Sequence, residues 1–240
     1  MELSQEPLGG NQVVQFGSRA QLGDEVASYL RDLIMSGQVR GGEYVRMDHV
    51  ANHLGVSATP VREALLSLRA EGFVTLEPRR GFVVLPISGA DVRDLFYAQA
   101  TLSGELAARA AAMIDDAVLA RLRSMQTRLN EATKADDTAS IELENYRFHR
   151  EINLLASSPK LGWLLGMVVR YSPRRFYANI EGWPKASNDD HEAILSALEK
   201  RDALLAKKAM ESHIVHAGDL LAEFLDSLDM TGPRKSIFDV

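Results

Sequence analysis

The stretch from Gly55 to Phe82, GVSATPVREALLSLRAEGFVTLEPRRGF, constrains the fold of this chain more than any other. Gly55-Val56-Ser57 reads as a tight turn into a helix. Ser57 or Thr59 is placed to cap that helix, and Pro60 falls in the first turn, where proline is tolerated. Val61, Leu65 and Leu68 recur at helical spacing and mark the inward face, which leaves Arg62 and Arg69 outside it. Gly72 stops the helix. Phe73-Val74-Thr75-Leu76 and Phe82-Val83-Val84-Leu85 are rich in β-formers and flank Glu77-Pro78-Arg79-Arg80-Gly81, which predicts a hairpin with a cationic tip. A helix followed by a basic hairpin is suited to placing the helix in a major groove and the hairpin on the neighbouring backbone. A small helical domain that merely ends in a hairpin is the plainer alternative.

At these residues the chain resembles the winged helix-turn-helix of the GntR family of bacterial transcription regulators. That family commonly shows V-S-R-T-P-V-R-E-A-L, then L-x-x-E-G-L, then a wing ending R-G. Here the run is Val56-Ser57-Ala58-Thr59-Pro60-Val61-Arg62-Glu63-Ala64-Leu65, then Leu68-Arg69-Ala70-Glu71-Gly72-Phe73, then Arg80-Gly81-Phe82. The resemblance covers about residues 19 to 86. It implies double-stranded operator DNA as partner, with Arg46, Ser57, Thr59, Arg62, Arg69, Arg79, Arg80 and Gly81 as the residues that meet it. One position departs from the pattern. Ala58 stands where the family usually has an arginine, and alanine cannot fork onto a guanine. Sequence readout then rests on Thr59, Arg62, the wing and other groove-facing residues such as Arg46.

The net charge of −6 looks wrong for a DNA binder. It is unevenly spread. From Arg19 to Leu85 the chain carries eight arginines against eight Asp or Glu, so that part is neutral and the remainder is acidic. Affinity for DNA would come from local clustering of Arg62, Arg69, Arg79 and Arg80. The chain has no cysteine, which excludes disulfides and thiolate metal sites and fits a reducing compartment. Its start shows neither a basic stretch nor an apolar run, and no segment reaches membrane-spanning length. The expectation is a cytoplasmic protein with no membrane partner.

With 240 residues the chain is long enough for two domains. Residues 1–18 read as a flexible leader and 19–86 as the winged helix-turn-helix. Residues 87–229 read as an all-α effector-binding and dimerisation domain, and 230–240 as a loosely held tail. In the first of these domains, helices are predicted at about 20–35 and 47–54 and over the recognition segment. Beyond Ser88-Gly89-Ala90-Asp91 no strand pattern is evident. Helices are predicted at about 89–113, 116–134, 138–157, 160–179, 187–200 and 202–228. The fold class is therefore mainly α: a winged helix-turn-helix with a small β-hairpin, followed by an antiparallel helical bundle.

Four of the six histidines fall in the bundle: His149, His191, His213 and His216. Asn145 and His149 are one turn apart on a predicted helix, and His191 and His213 come from two others. Imidazoles from separate helices are one way a bundle builds a metal site, and such a donor set suits Zn, Ni, Fe or Mn. A buried histidine is also commonly a hydrogen-bonded core residue.

This second part resembles the FadR-type C-terminal domain, the ligand-sensing bundle behind many GntR-type winged helices. Its metal-binding members show D-x-x-x-H, then a histidine before I-L-x-A, then A-x-x-M-x-x-H. This chain has Asn145 to His149, His191-Glu192-Ala193-Ile194-Leu195-Ser196-Ala197 and Ala209-Met210-Glu211-Ser212-His213. The resemblance covers about residues 89 to 228. It implies a divalent metal held by Asn145, His149, His191 and His213, with His216 outside the ligand set. Asn145 replaces the usual carboxylate and brings no negative charge. Gln99 and Ser103 stand where many members have the R-x-x-x-E pair of the first bundle helix, and Gln99 cannot neutralise an acid as a guanidinium does. Arg170 and Arg174 are placed to supply that charge, or else form a solvated basic face with Arg175.

The reading that unites these features is a metabolite-responsive transcription regulator, a repressor. It acts as a homodimer whose twofold matches a two-half-site operator, and it answers to a small carboxylic acid. One alternative is a metal-dependent enzyme using the three-histidine site, although no H-E-x-x-H motif is present. Another is a DNA binder with a purely structural bundle.

Overall fold

The computed structural model describes residues 19–172, 183–228 and 238. Three helices and three short strands come first: α1 (Arg19–Met35), β1 (Tyr44–Val45), α2 (Met47–Leu54), α3 (Ala58–Ala70), β2 (Val74–Glu77) and β3 (Gly81–Val84). Six helices follow: α4 (Gly89–Met113), α5 (Asp116–Lys134), α6 (Thr138–Leu155), α7 (Pro159–Val168), α8 (Trp183–Glu199) and α9 (Ala203–Ser227). A single 3-10 turn, Val169–Tyr171, extends α7. The protein is mainly helical with one small antiparallel sheet, as the sequence predicts.

The first part folds around the apolar stripe of α1. Val26, Leu30, Leu33 and Ile34 meet Val61, Leu65 and Leu68 of α3, and Phe73, Val74, Phe82 and Val84 close the core from the sheet. Gly55 takes a left-handed φ of 65° at the end of α2, and Gly72 does so at 82° just past α3. Both turns need a conformation that glycine adopts without strain. Ser57 occupies the N-cap position of α3 in extended conformation, but its side chain makes no capping bond.

The wing needs a correction. The sequence predicts two strands, whereas the sheet has three in the order β1-β3-β2, all antiparallel. Tyr44 pairs with Val83 and Val45 with Phe82. A two-residue strand is too short to show alternation, which is why it escapes a reading by periodicity. At the hairpin tip, Arg79 is left-handed at φ 67° and Gly81 at φ 96°.

The bundle helices start where short acceptors sit. Ser88 and Asp91 form a reciprocal capping box at α4. Asp115, Asp137 and Asp202 each accept a backbone N–H in the first turns of α5, α6 and α9. Each satisfies a donor that the helix itself leaves unpaired. Three boundaries differ from expectation. The helix predicted over 160–179 stops at Val168, and its remainder beyond Ser172 lies outside the described residues. The helix predicted from 187 begins at Trp183, with Pro184 second, where its missing N–H is harmless. Phe238, in the segment expected to be loosely held, is buried and meets His53 edge-on at 5.5 Å.

Helices α4 and α9 pack side by side through small residues. The pair is antiparallel, with Gly89 against Asp226, Gly218 against Phe96 and Gly104 against Glu211. A Cβ placed on Gly218 would lie 2.5 Å from Cβ of Phe96, an atom fixed to backbone. Gly162 on α7 has open space instead. Gly218→Ala should therefore destabilise by roughly 1–3 kcal/mol through overpacking. Gly162→Ala should add about 0.5–1 kcal/mol through helix propensity. Urea unfolding followed by circular dichroism should show the midpoint moving in opposite directions.

Candidate functional site

Two regions carry chemistry. The first is the outer face of α3 with the wing. Thr59, Arg62 and Arg69 are all exposed, and so is Leu66 between them. Their spacings of three, four and three place them along one stripe of the helix. Arg62, Arg69 and Arg79 make no ion pair among the described residues. Arg46 is exposed at the N-cap of α2, next to the start of the wing. Arg80 is held by the hydroxyl of Tyr44, at 3.3 Å, which in turn donates to Glu77 at 2.7 Å. Arg46, Arg62, Arg69, Arg79 and Arg80 are all exposed, Ser57 stands at the N-cap of α3, and Gly81 shapes the hairpin. Leu66 is an exposed apolar residue that the sequence reading did not single out. A thymine methyl is the kind of group such a side chain meets in a major groove.

The second region lies among α4, α6, α8 and α9. His149 comes from α6, His191 from α8 and His213 from α9. Their Nε2 atoms converge: His149 lies 3.3 Å from His191 and 3.1 Å from His213. His191 and His213 are buried. Phe148 stacks on His191 with ring centroids 4.2 Å apart.

Two of the rings are held by hydrogen bonds on their far side. The Gln126 amide nitrogen donates to Asn130 and to Asn188, at 2.9 and 3.1 Å. Its Oε1 is therefore the atom 2.8 Å from Nδ1 of His191, and Nδ1 must carry the proton. Asp190 plays the same part for His213, accepting from Nδ1 at 3.4 Å, and it also accepts from His216 at 3.0 Å. Neutral His191 consequently aims a bare Nε2 lone pair at His149, and Asp190 turns the Nε2 of His213 to the same point. This is how outer hydrogen bonds orient imidazoles that ligate metals.

The same environment keeps His149 and His191 neutral. Burial, with the His213 charge adding to it, pushes His149 down to about 3. Burial and the two neighbouring imidazoles hold His191 well below its usual 6.5. Burial raises Asp190, but its bonds to His213 and His216 outweigh this and leave it below the ordinary carboxylate value. Gln126 and Asp190 were not foreseen as partners. Gln126 did leave a signal: it is a polar residue in the buried stripe Val118, Leu122, Gln126, Leu129 of α5.

A cavity of about 860 Å³ opens in front of His149 and His213. Asn145 lines it, and its Oδ1 is buried with no hydrogen-bond partner. Gln99 and Ser103 of α4 line it as well. Arg170 does not. Its guanidinium turns to Glu71 at the end of α3, 3.4 Å away, because the 3-10 turn rotates it off the face that α7 gives the cavity. Arg174 lies outside the described residues. Among the described residues the arginine that lines the cavity is Arg150, on α6 and exposed, which the sequence reading did not name.

Comparison with known proteins agrees with this architecture. Residues 22–84 match the bacterial regulatory proteins, gntR family, and residues 94–216 match the FCD domain. An HTH-type transcriptional regulator of Mycobacterium tuberculosis (strain CDC 1551 / Oshkosh) is 25% identical over 189 residues, 79% of this chain and 73% of that protein. The HTH-type transcriptional repressor RspR of Escherichia coli (strain K12) is 27% identical over 206 residues, 83% of this chain and 89% of its own. Among solved structures, E. coli McbR/YncC superposes with a TM-score of 0.66 at 22% identity, over 84% of this chain and 97% of that one. A GntR-family regulator from Pseudomonas syringae pv. tomato gives 0.53 at 26% identity, over 89% and 90%. These relatives are regulators of transcription, and the reading as a metal-dependent enzyme is set aside.

The lowered histidine pKa values set a pH dependence for metal-free protein. In the unfolded chain these imidazoles titrate near 6.5, whereas in the fold they resist protonation down to about 3 for His149. Between those values the unfolded state binds more protons, so stability falls as pH falls. Chelator-treated protein should melt at progressively lower temperature from pH 7 to pH 4, and His149→Gln should flatten that dependence. An equal slope in the variant would show that His149 is not buried neutral.

Proposed function

Given that the chain belongs to the gntR family of bacterial regulatory proteins, with an FCD domain behind its winged helix, and so is a DNA-binding regulator of transcription, we propose that it is a metal-dependent, acid-responsive repressor. In this reading it is a homodimer. His149, His191, His213 and Asn145 hold one divalent ion, and a small carboxylic acid enters the cavity and completes its shell. One observation carries the reading: three Nε2 atoms, two of them on rings held from behind by Gln126 and Asp190, meet at the edge of a cavity lined by an unpaired amide oxygen. Two imidazole nitrogens bound tetrahedrally to one Zn at about 2.0–2.1 Å would lie about 3.3 Å apart. The observed 3.1 and 3.3 Å match that spacing.

The residues divide the work. Gln126 and Asp190 hold two imidazoles in the ligating tautomer. Phe148 and the apolar wall keep water away. When bound, a divalent ion supplies a positive pole for an acid. Gln99, Ser103 and Arg150 are placed to contact the rest of that acid. On the DNA side, Thr59 and Arg62 face the groove from the first turns of α3, and Arg79 and Arg80 meet the backbone from the wing. The acid shifts operator occupancy insofar as it binds one arrangement of the winged parts better than the other.

Two measurements check this. In calorimetric titrations the wild type should take up one Zn, Ni or Mn ion. Each of His149→Ala, His191→Ala and His213→Ala should lose that uptake. Asn145→Asp should tighten it by restoring a charged ligand. Wild-type protein that stays metal-free under saturating Zn, Ni and Mn would make these histidines core residues only. Separately, Arg62→Ala should weaken binding to a selected operator duplex by about 1–3 kcal/mol with the fold intact. Unchanged footprints at moderate salt would place Arg62 away from the bases.

A further inference from the structure

The cavity and the recognition helix are joined by one short piece of chain. On one side, Leu165, Gly166, Val169 and Ser172 line the cavity. Ser172 donates to Oε1 of Gln99 across it, at 2.9 Å. On the other side, the next residues grip the end of α3. The Tyr171 hydroxyl donates to the backbone carbonyl of Glu71, and its ring stacks on Phe73 with centroids 4.9 Å apart. Burial and the Glu71 carboxylate raise the Tyr171 pKa, so the hydroxyl keeps its proton and remains a donor.

Glu71 is itself a junction. It is the C-cap of α3, and Phe73 follows two residues later, immediately before β2. Its carboxylate takes two bonds from Arg31 of α1, at 2.9 and 3.2 Å, and one from Ser67 of α3 at 3.0 Å. Whatever moves Glu71 moves the recognition helix and the wing root together.

The wall that leads to this junction is lightly anchored. Leu165 is the buried residue of α7, packed in a small cluster with Leu106 and Ala156 apart from the main core. Gly162 and Gly166 have nothing within 4 Å of where a Cβ would stand. A helix with few buried contacts opens at low free-energy cost compared with the core.

We propose that α7 and its 3-10 turn act as the strut that couples the cavity to the DNA-binding face. Material filling the cavity pushes Val169 and the Ser172–Gln99 contact, and Tyr171 carries that shift to Glu71 and Phe73. This rests on the reading of the cavity as an effector site and adds its route of regulation. Tyr171 is a positioning residue here and touches neither DNA nor effector.

The test needs no effector, because the cavity can be filled from its own wall. Gly166→Leu, and separately Gly162→Leu one turn earlier, project a side chain into the open space. Affinity is measured for a duplex selected from a random pool by wild-type protein, with circular dichroism as the check on folding. Gly166→Leu should change that affinity about five-fold or more, at the lower end of ordinary allosteric couplings. In the Tyr171→Phe background, which keeps the stacked ring and removes the hydroxyl, the change should fall to less than half on a logarithmic scale. An unchanged affinity in both folded leucine variants, or a change of equal size in the Tyr171→Phe background, overturns the proposal. Neither metal nor acid enters this cycle. A negative cycle beside positive metal uptake therefore sinks the strut alone, and absent metal uptake beside a positive cycle sinks the metal reading alone.

Discussion

The close approach of α4 and α9 is the constraint on which the rest depends. Phe96 lies over Gly218 with no room for a methyl group between them. Buried alanines on both helices let the backbones come together along their length. Close packing of this kind fixes position tightly, because neither helix can slide without opening voids or clashes. One wall of the cavity, Phe96 with Gln99 and Ser103, and another, His213 with Ile214 and Ala217, are thereby held in register. The same α4 begins at Ser88, just after Pro86. The Cα of Pro86 would be only 2.7 Å from a Cβ on Gly41. The winged part is thus seated by backbone contact at its exit, and the bundle's rigid pair starts from that seat.

Against this rigid pair the histidine cluster sets a local electrostatic problem. Three imidazoles in a space this small cannot all be charged, and burial keeps His149 and His191 neutral near pH 7. Two acceptors behind the rings, buried Gln126 and half-buried Asp190, take the Nδ1 hydrogen bonds of His191 and His213. Gln126 is in turn oriented by Asn188, which donates to Thr133 at 3.2 Å. The polar groups form a chain of hydrogen bonds from α5 inward that fixes the orientation of His191.

Much of this was legible in the sequence, for physical reasons that differ by element. The recognition helix and hairpin were readable because their punctuation is chemically strict: Gly55 and Gly72 at left-handed turns, Pro60 in a first turn, alternating β-formers after it. The bundle helices were readable from Ser88, Asp115 and Asp137, which act as caps. The histidines were readable as a set because His149 has its partner Asn145 one turn away, though whether the four act as ligands is a matter for titration. Other features were not legible. Strand β1 is two residues long. Reading one helix over 160–179 passed over Gly166 and Pro173, which flank the change from α-helix to 3-10 turn, and that misled the placement of Arg170. Asp190 and Gln126 act through space from other helices, and periodicity carries no information about which helices will be neighbours.

The departures from the usual pattern make sense together when charge is followed through the proposed centre. Where related domains carry an arginine and a glutamate on the first bundle helix, this chain has Gln99 and Ser103, and losing that pair leaves the net charge of the wall unchanged. Where they carry an acidic ligand, it has Asn145, and this removes one negative charge. In the proposed centre the cavity would gain one unit of positive charge, carried by the ion and not by the wall. Imidazoles and an amide would leave a divalent ion unneutralised except for Asp190 beyond His213. In a site of low dielectric such a pole attracts an anion far more strongly than an exposed side chain would. Recognition of an acid then no longer depends on a guanidinium fork at position 99. Gln99 is left free to bond Ser172, the residue that follows the turn reaching the recognition helix.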